Sequence, residues 1–212
     1  VLGNGQTVLK AVGSIPGIRK VELEGESDGQ VTFTAESTDD TDRRAEVSRA
    51  LSQAGCTVLA IPCNTSHYFA DRLQGELHIP LIHMIRETVS AIRAMGKTTV
   101  GILATDGTVW TGIYQQALEA AGLTPVTLPA QLQRVVMSII YDEIKKGETG
   151  SREKFGEIDA YLRQAGCDCA ILGCTELSVY RSLHSLPPYY IDAMEILAEQ
   201  AILRCGKALR NV

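Results

Sequence analysis

Hydrophobic positions along the chain follow two alternating patterns. Short apolar runs at 58–61, 79–82, 99–103 and 169–172 read as buried strands, the second starting at Pro80, where a strand needs no ladder donor. Between them apolar residues recur at helical spacing. The clearest case is 131–146, where Leu132, Val135, Val136, Ile139, Ile140 and Ile144 form one stripe and Gly147 follows its end. Further helices are expected over about 43–53, 67–77, 86–95, 112–121, 152–164 and 193–209. Strands separated by single helices imply parallel sheet joined by right-handed crossovers, and therefore an α/β fold.

The first 42 residues follow this alternation less well. A short helix is expected over 7–12 and a strand over 31–34. Eight acids (Glu22, Glu24, Glu26, Asp28, Glu36, Asp39, Asp40 and Asp42) surround turn signals near Gly25 and Gly29. Such a charge run reads as a solvated edge. Gly3-x-Gly5 has no strand before it and no third glycine after it, so it carries no nucleotide-binding signal.

An internal repeat organises the rest. Residues 51–56 read LSQAGC and residues 162–167 read LRQAGC, 111 positions later. An amphipathic helix leads into each copy and an apolar strand leads out. A cysteine then follows the shared glycine by eight residues, Gly55 to Cys63 and Gly166 to Cys174. A period of that length marks duplicated domains rather than solenoid units. The expected architecture is two pseudo-symmetric parallel-sheet domains with helices on both faces. One would comprise residues 1–96 with 190–212, the other 97–189. Ligands of open α/β sheets bind beyond the carboxyl ends of the strands, so an active-site cleft between the two domains is expected.

Composition narrows the class. A chain of 212 residues with 45% hydrophobic and 21% charged residues can fill one large domain or two small ones. It is too apolar for intrinsic disorder, and no apolar run approaches the length of a membrane span. The net charge of −5 argues against nucleic acid or an anionic membrane as the main partner. Six unevenly spaced cysteines do not make a disulfide scaffold. The opening Val1-Leu2-Gly3-Asn4-Gly5 lacks the charged stretch and apolar segment of a secretory signal, so a reducing, cytoplasmic setting is expected.

The candidate chemistry lies at Ile61-Pro62-Cys63-Asn64-Thr65-Ser66-His67 and Leu172-Gly173-Cys174-Thr175-Glu176-Leu177. Each cysteine is expected where a strand turns into a helix start. Unpaired amides there hold carboxylates and lower a thiol's pKa. One thiolate can take a proton from a substrate carbon while an opposed thiol supplies one to the other face, which inverts the centre without metal or organic cofactor. Cys56, Cys167, Cys169 and Cys205 read as small buried hydrophobes. A zinc site from Cys167, Cys169 and Cys174 with His184 lacks paired Cys-x2-Cys spacing, and strand neighbours point to opposite faces. A Cys–His nucleophile with His67 or His83 as base leaves the second cysteine unexplained.

These residues resemble the aspartate/glutamate racemase family, especially its aspartate racemase branch, over about residues 43–205. The resemblance rests on Pro62-Cys63-Asn64-Thr65 with His67, Leu103-Ala104-Thr105-Asp106-Gly107-Thr108, the Ile140-Tyr141 helix running to Lys145 and Gly147, Gly173-Cys174-Thr175-Glu176, and Ile191-Asp192-Ala193-Met194. It implies a cofactor-independent racemase of acidic amino acids, aspartate or glutamate, working as a homodimer with Cys63 and Cys174 as the acid/base pair. It further implies that Asn64, Thr65 and Thr175 hold the substrate's carboxylate and amino groups, that Thr105 and Thr108 form a second carboxylate-binding turn, and that Glu176 orients the ammonium group or the neighbouring loop. Lys145 matches a lysine near the substrate; its plain alternative is a solvated helix-end residue. His67 matches too, in a capping or supporting role. The family's opening Gly-Gly-Met-Gly-type loop and Pro-Asp-Arg-Thr-like segment have no clear counterpart, and the stretch before Cys63 is shorter by about one strand–helix unit. Arg43 and Arg44 lie inside an expected helix and receive no role. Hydantoin racemisation, maleate isomerisation, or binding without turnover would use the same pair of cysteines.

Overall fold

The structure, a computed structural model, describes residues 5–27, 30–39, 43–77 and 79–209. It is an α/β fold with parallel sheets. The chain forms two compact units, residues 1–61 with 69–82 and 201–212, and residues 62–68 with 83–200.

The first unit begins with helix α1 (Gly5–Gly13), which buries Val8 and Val12. An antiparallel hairpin follows, β1 (Ile18–Ser27) against β2 (Gln30–Ser37). The strand expected at 31–34 is therefore longer and pairs with the acidic stretch before it. Lys20, Glu22 and Glu24 alternate with Val21 and Leu23, so the charges project from a strand, and Glu22 and Glu24 are exposed as a solvated edge requires. Gly3, Asp28, Asp40, Asp42 and the side chain of Glu26 lie outside the described residues.

Helix α2 (Arg44–Gln53) starts at Arg43, whose guanidinium meets Asp39 at 2.9 Å and Glu46 at 3.3 Å and donates to Ser37 Oγ at 3.2 Å. This arginine ties the hairpin's end to the helix. Strands β3 (Leu59–Ala60) and β4 (Leu81–Ile82) pair in parallel around α3 (Ala70–Glu76). The helix expected over 67–77 is entered through a 3-10 turn, Thr65–Phe69. Val8, Val12, Leu51, Cys56, Leu73 and Leu81 share this unit's core.

The second unit runs α4 (Met84–Ala94), β5 (Thr99–Ala104), α5 (Asp106–Thr111), α6 (Ile113–Ala120), β6 (Thr124–Val126) and α7 (Ala130–Ser138). It continues with α8 (Arg152–Gln164), β7 (Cys169–Gly173), α9 (Thr175–His184), β8 (Tyr190–Asp192) and α10 (Ala193–Arg204). Its four strands are all parallel in the order β6-β5-β7-β8. Central β7 is buried throughout, as expected of a parallel strand covered on both faces. Asp168 clips β7 to β5, accepting from the Thr98 N–H at 2.8 Å and the Thr99 N–H at 3.3 Å. Residues 83–96 and 190–200 fall in this unit, where α4 packs on α6 and β8, and β8 pairs with β7. Among the described residues, no helix is long and apolar enough to cross a membrane.

The two repeat copies fold alike. In each, the glycine takes a left-handed conformation, φ +85° at Gly55 and +76° at Gly166. The following cysteine N–H reaches back five residues, Cys56 to Leu51 at 3.1 Å and Cys167 to Leu162 at 3.0 Å. This is the Schellman cap, which satisfies the last carbonyls of a helix and turns the chain toward a strand.

The helix expected over 131–146 does not continue unbroken. After α7 the chain widens into a π turn, Ile139–Glu143, then tightens into a 3-10 turn, Ile144–Lys146, ending at Gly147 with φ +86°. Glu143 explains the break. Its carboxylate is drawn inside, where it accepts from the Ser151 N–H at 2.6 Å and from Lys154 Nζ. The π turn leaves Ile139, Ile140 and Ile144 buried and sends Lys145 to the surface side.

Candidate active site

Beyond β3, Pro62, Cys63 and Asn64 lead into the 3-10 turn at Thr65. Cys63 is exposed. His67, 4% exposed, fixes this turn from beneath. Its Nε2 accepts the Met84 N–H at 3.0 Å, so the ring proton sits on Nδ1, which bonds to the Cys63 carbonyl at 2.8 Å. His67 thus spends both nitrogens joining the Cys63 backbone to the start of α4. That is the supporting role, and it leaves no lone pair with which to serve the thiol as base. His83 caps α4, its Nδ1 accepting the Arg86 N–H at 3.4 Å.

Asn64 is 4% exposed, and its Oδ1 accepts from the Tyr114 hydroxyl at 2.6 Å. Thr65 turns toward the β5–α5 turn. Its Oγ1 lies 2.8 Å from Thr108 Oγ1 and 3.3 Å from Thr105 Oγ1, and the last two are 3.2 Å apart. Three hydroxyls thus close a triangle in which three protons serve three contacts. A carboxylate can accept those same protons when the ring opens toward it.

Cys174 directly follows β7 with an extended backbone and occupies the N-cap position of α9. The expected lowering of its pKa does not occur. Burial pushes the thiol up to about 12, and its hydrogen bond to the Glu176 carboxylate acts in the same direction. Sγ donates to Glu176 Oε2 at 2.8 Å, so Cys174 is a protonated thiol near neutral pH and a proton donor by construction. Burial would raise Glu176 in turn. Hydrogen bonds from Cys174, its own backbone N–H and Thr175, with the charge of Lys145, hold its carboxyl below the usual value instead. Thr175 Oγ1 donates to the same Oε2 at 3.0 Å, so this hydroxyl is committed to Glu176. Lys145 Nζ stands 3.6 Å from Glu176 Oε1 and 4.2 Å above the Tyr141 ring. It is a member of the cysteine's charge network, not a purely solvated helix-end residue.

All nine residues singled out from the sequence fall within the second unit. They form a hydroxyl group with Asn64 beside Cys63, and a thiol–carboxylate–ammonium group around Cys174. Cys56, Cys167 and Cys169 are buried, and burial raises all three thiols. Among the described residues, no group of three or more His, Cys, Asp or Glu is arranged to hold a metal ion. Tyr114 is a partner that sequence reasoning missed, and Tyr141 was quoted only as part of a motif, without its contact to Lys145. Tyr114 reads as a core position of α6 with Leu118, and both are fully buried; only its hydroxyl signalled a second role.

A parallel α/β unit with polar groups gathered after β5 and β7 defines an enzyme-like class in which strand ends carry the chemistry. The family model for Asp/Glu/Hydantoin racemase matches residues 15–201, and the chain belongs to that family. It is 35% identical over 72 residues to the broad-specificity amino-acid racemase RacX of Bacillus subtilis (strain 168), covering 34% of this chain and 31% of that one. It is 30% identical over 137 residues to the glutamate racemase of Corynebacterium diphtheriae, covering 61% and 48%. The matches therefore span half or less of these two curated racemases. The crystal structure of an aspartate racemase homologue from Pyrococcus horikoshii OT3 aligns with a TM-score of 0.68 and 27% identity, covering 77% of this chain and 73% of that one.

Proposed function

We propose that this protein is a cofactor-independent amino-acid racemase that interconverts the enantiomers of aspartate, or of glutamate, with one of Cys63 and Cys174 removing the α-proton and the other supplying a different proton to the opposite face. In one direction Cys63, starting as the thiolate, takes the proton from one face of the α-carbon and becomes a thiol. Cys174 delivers its own to the other face and is left as a thiolate. The protons return through solvent or by the reverse reaction, so no atom is consumed. Asn64 and the hydroxyls of Thr65, Thr105 and Thr108 hold the α-carboxylate, where negative charge develops as the carbon is deprotonated. Glu176, with Lys145 and Thr175 on its oxygens, holds the Cys174 proton between turnovers and faces the substrate's ammonium group.

The observation that carries this reading is the Cys174 Sγ donating at 2.8 Å to Glu176 in the same unit as an exposed Cys63. Family membership and the relatives' racemase names support it. The test is circular dichroism of L- and D-aspartate and glutamate, neutral amino acids and a 5-substituted hydantoin, each incubated with wild type, Cys63→Ala and Cys174→Ala. Wild type is expected to racemise an acidic amino acid, and both variants to lose at least about a hundredfold of that rate. Wild-type protein that turns over none of the acidic substrates overturns the proposal, as does either variant at the wild-type rate. Turnover of the hydantoin alone moves the substrate class within the family.

A further inference from the structure

The hydrogen bond between Asn64 and Tyr114 has a use beyond packing. A carboxamide is planar and two-sided, with an acceptor on one edge and a donor on the other. Tyr114 is fully buried, and burial raises its phenol, so the hydroxyl keeps its proton. That proton goes to Asn64 Oδ1 at 2.6 Å. The oxygen edge is thereby turned to the interior and the Nδ2 edge away from it, on the residue adjoining Cys63. Among the described residues the Asn64 side chain has its one hydrogen bond at Oδ1, and none at Nδ2. Nδ2 is not among the sealed, unpartnered polar atoms, so this edge keeps access to solvent and is free to donate to an acceptor brought in from outside.

We propose that Tyr114 is a positioning residue that locks the Asn64 carboxamide with Nδ2 outward, so that the substrate carboxylate at Cys63 meets a donor instead of a carbonyl oxygen. This rests on the racemase reading of the site. With phenylalanine at 114 the ring still fills its space, but the amide loses the bond that selects one face. A carboxylate arriving at the wrong face meets a repelling oxygen.

The experiment combines kinetics with a spectrum of the amide. Values of kcat and KM are measured for wild type, Tyr114→Phe, Asn64→Ala and the double variant. Side-chain NH2 resonances are recorded on protein labelled with nitrogen-15 in asparagine. The chain has three asparagines, Asn4, Asn64 and Asn211, so the pair missing from Asn64→Ala is assigned directly. Tyr114→Phe is expected to raise KM about three- to tenfold, the worth of one hydrogen bond, with a much smaller change in kcat. The double variant should show the KM of Asn64→Ala alone, because Tyr114 acts through Asn64. The Asn64 NH2 pair should shift and broaden in Tyr114→Phe.

KM effects that multiply in the double variant overturn the proposal, as does an Asn64 NH2 pair unmoved by Tyr114→Phe. A fall in kcat and folded yield with KM unchanged gives Tyr114 a packing role only and also overturns it. Wild type without turnover fails the racemase reading and takes this inference with it. Normal wild-type turnover with any of the other adverse results fails the Tyr114 assignment alone.

Discussion

Cys174 Sγ donates to Glu176 Oε2 at 2.8 Å across two residues at the start of α9. The carboxylate and burial together keep the thiol protonated, against the helix N-terminus on which both residues sit. Exposed Cys63 should therefore be alkylated by iodoacetamide near neutral pH, while Cys174 resists until the pH nears its value of about 12. Glu176→Gln removes the charge and leaves burial. Cys174 should then alkylate about tenfold faster at about pH 9, the effect of one pKa unit on the thiolate fraction. Peptide mass spectrometry reads both sites; equal rates at Cys174 in wild type and Glu176→Gln would contradict the assignment.

Lys145 acts on the same pair from the other side, 3.6 Å from Glu176 Oε1. Its charge is among the influences that lower the Glu176 carboxyl. Lys145→Met should move the titration of Glu176 upward, and with it the pH below which kcat/KM falls. Lys145→Arg should preserve the wild-type limb. Carbon-13 shifts of Glu176 followed through acid pH check the direction. A folded-state value below the unfolded one gives stability that is present above the unfolded value of 4.5 and lost as pH falls through the folded value. Glu176→Gln should flatten that acid limb of the unfolding curve.

The three hydroxyls differ in burial, and their substitutions should separate accordingly. Thr108 is 1% exposed and Thr65 is exposed. Thr108→Val removes a buried hydroxyl and its two hydrogen bonds and should cost about 1 kcal/mol of stability as well as substrate affinity. Thr65→Val should raise KM several-fold while leaving the melting temperature almost unchanged, since water replaces the lost bond. Thermal unfolding beside steady-state kinetics distinguishes them.

One substitution should have opposite signs at the repeated caps and inside a helix. At Gly55 and Gly166 an added Cβ meets nothing within 4 Å, so the cost of alanine is the left-handed backbone alone. Each should lose about 1–2 kcal/mol. Gly156, exposed within α8 with equal space around it, should gain about 0.5–1 kcal/mol on becoming alanine. Urea unfolding measures all three.

The sequence was readable wherever a single pattern decided the structure. Strands β5 and β7 are apolar runs buried on both faces, and the glycine caps declare themselves in the two QAGC copies. The hairpin was half legible, because alternating charge hides the strand period that Val21 and Leu23 carry. Three-residue strands such as β6 and β8 are too short to hold a period at all. The π turn depends on Glu143 reaching Lys154 and Ser151, partners in the following segment that no helical pattern announces. In the candidate site, spacing singled out Cys63 and Cys174 and the resemblance singled out Thr65, Thr105 and Thr108, whose hydroxyls the structure brings together. The sense of the Cys174 shift was not legible, since helix-start amides and a buried carboxylate pull oppositely and only the geometry decides between them. Tyr114 is separated from Asn64 by 50 residues, and a buried tyrosine gives no sign in the sequence of where its hydroxyl points.

The central claim is that two groups handle the α-proton, one on each face, and isotope placement tests it most directly. Wild-type protein is incubated with unlabelled L-aspartate in D2O, and both enantiomers are separated at early times for mass spectrometry. The account predicts D-aspartate carrying one deuterium at the α-carbon, while the remaining L-aspartate stays almost wholly unlabelled. Deuterium appearing equally in the recovered L-aspartate would mean that a single group exchanges its proton on both faces, and would contradict the account.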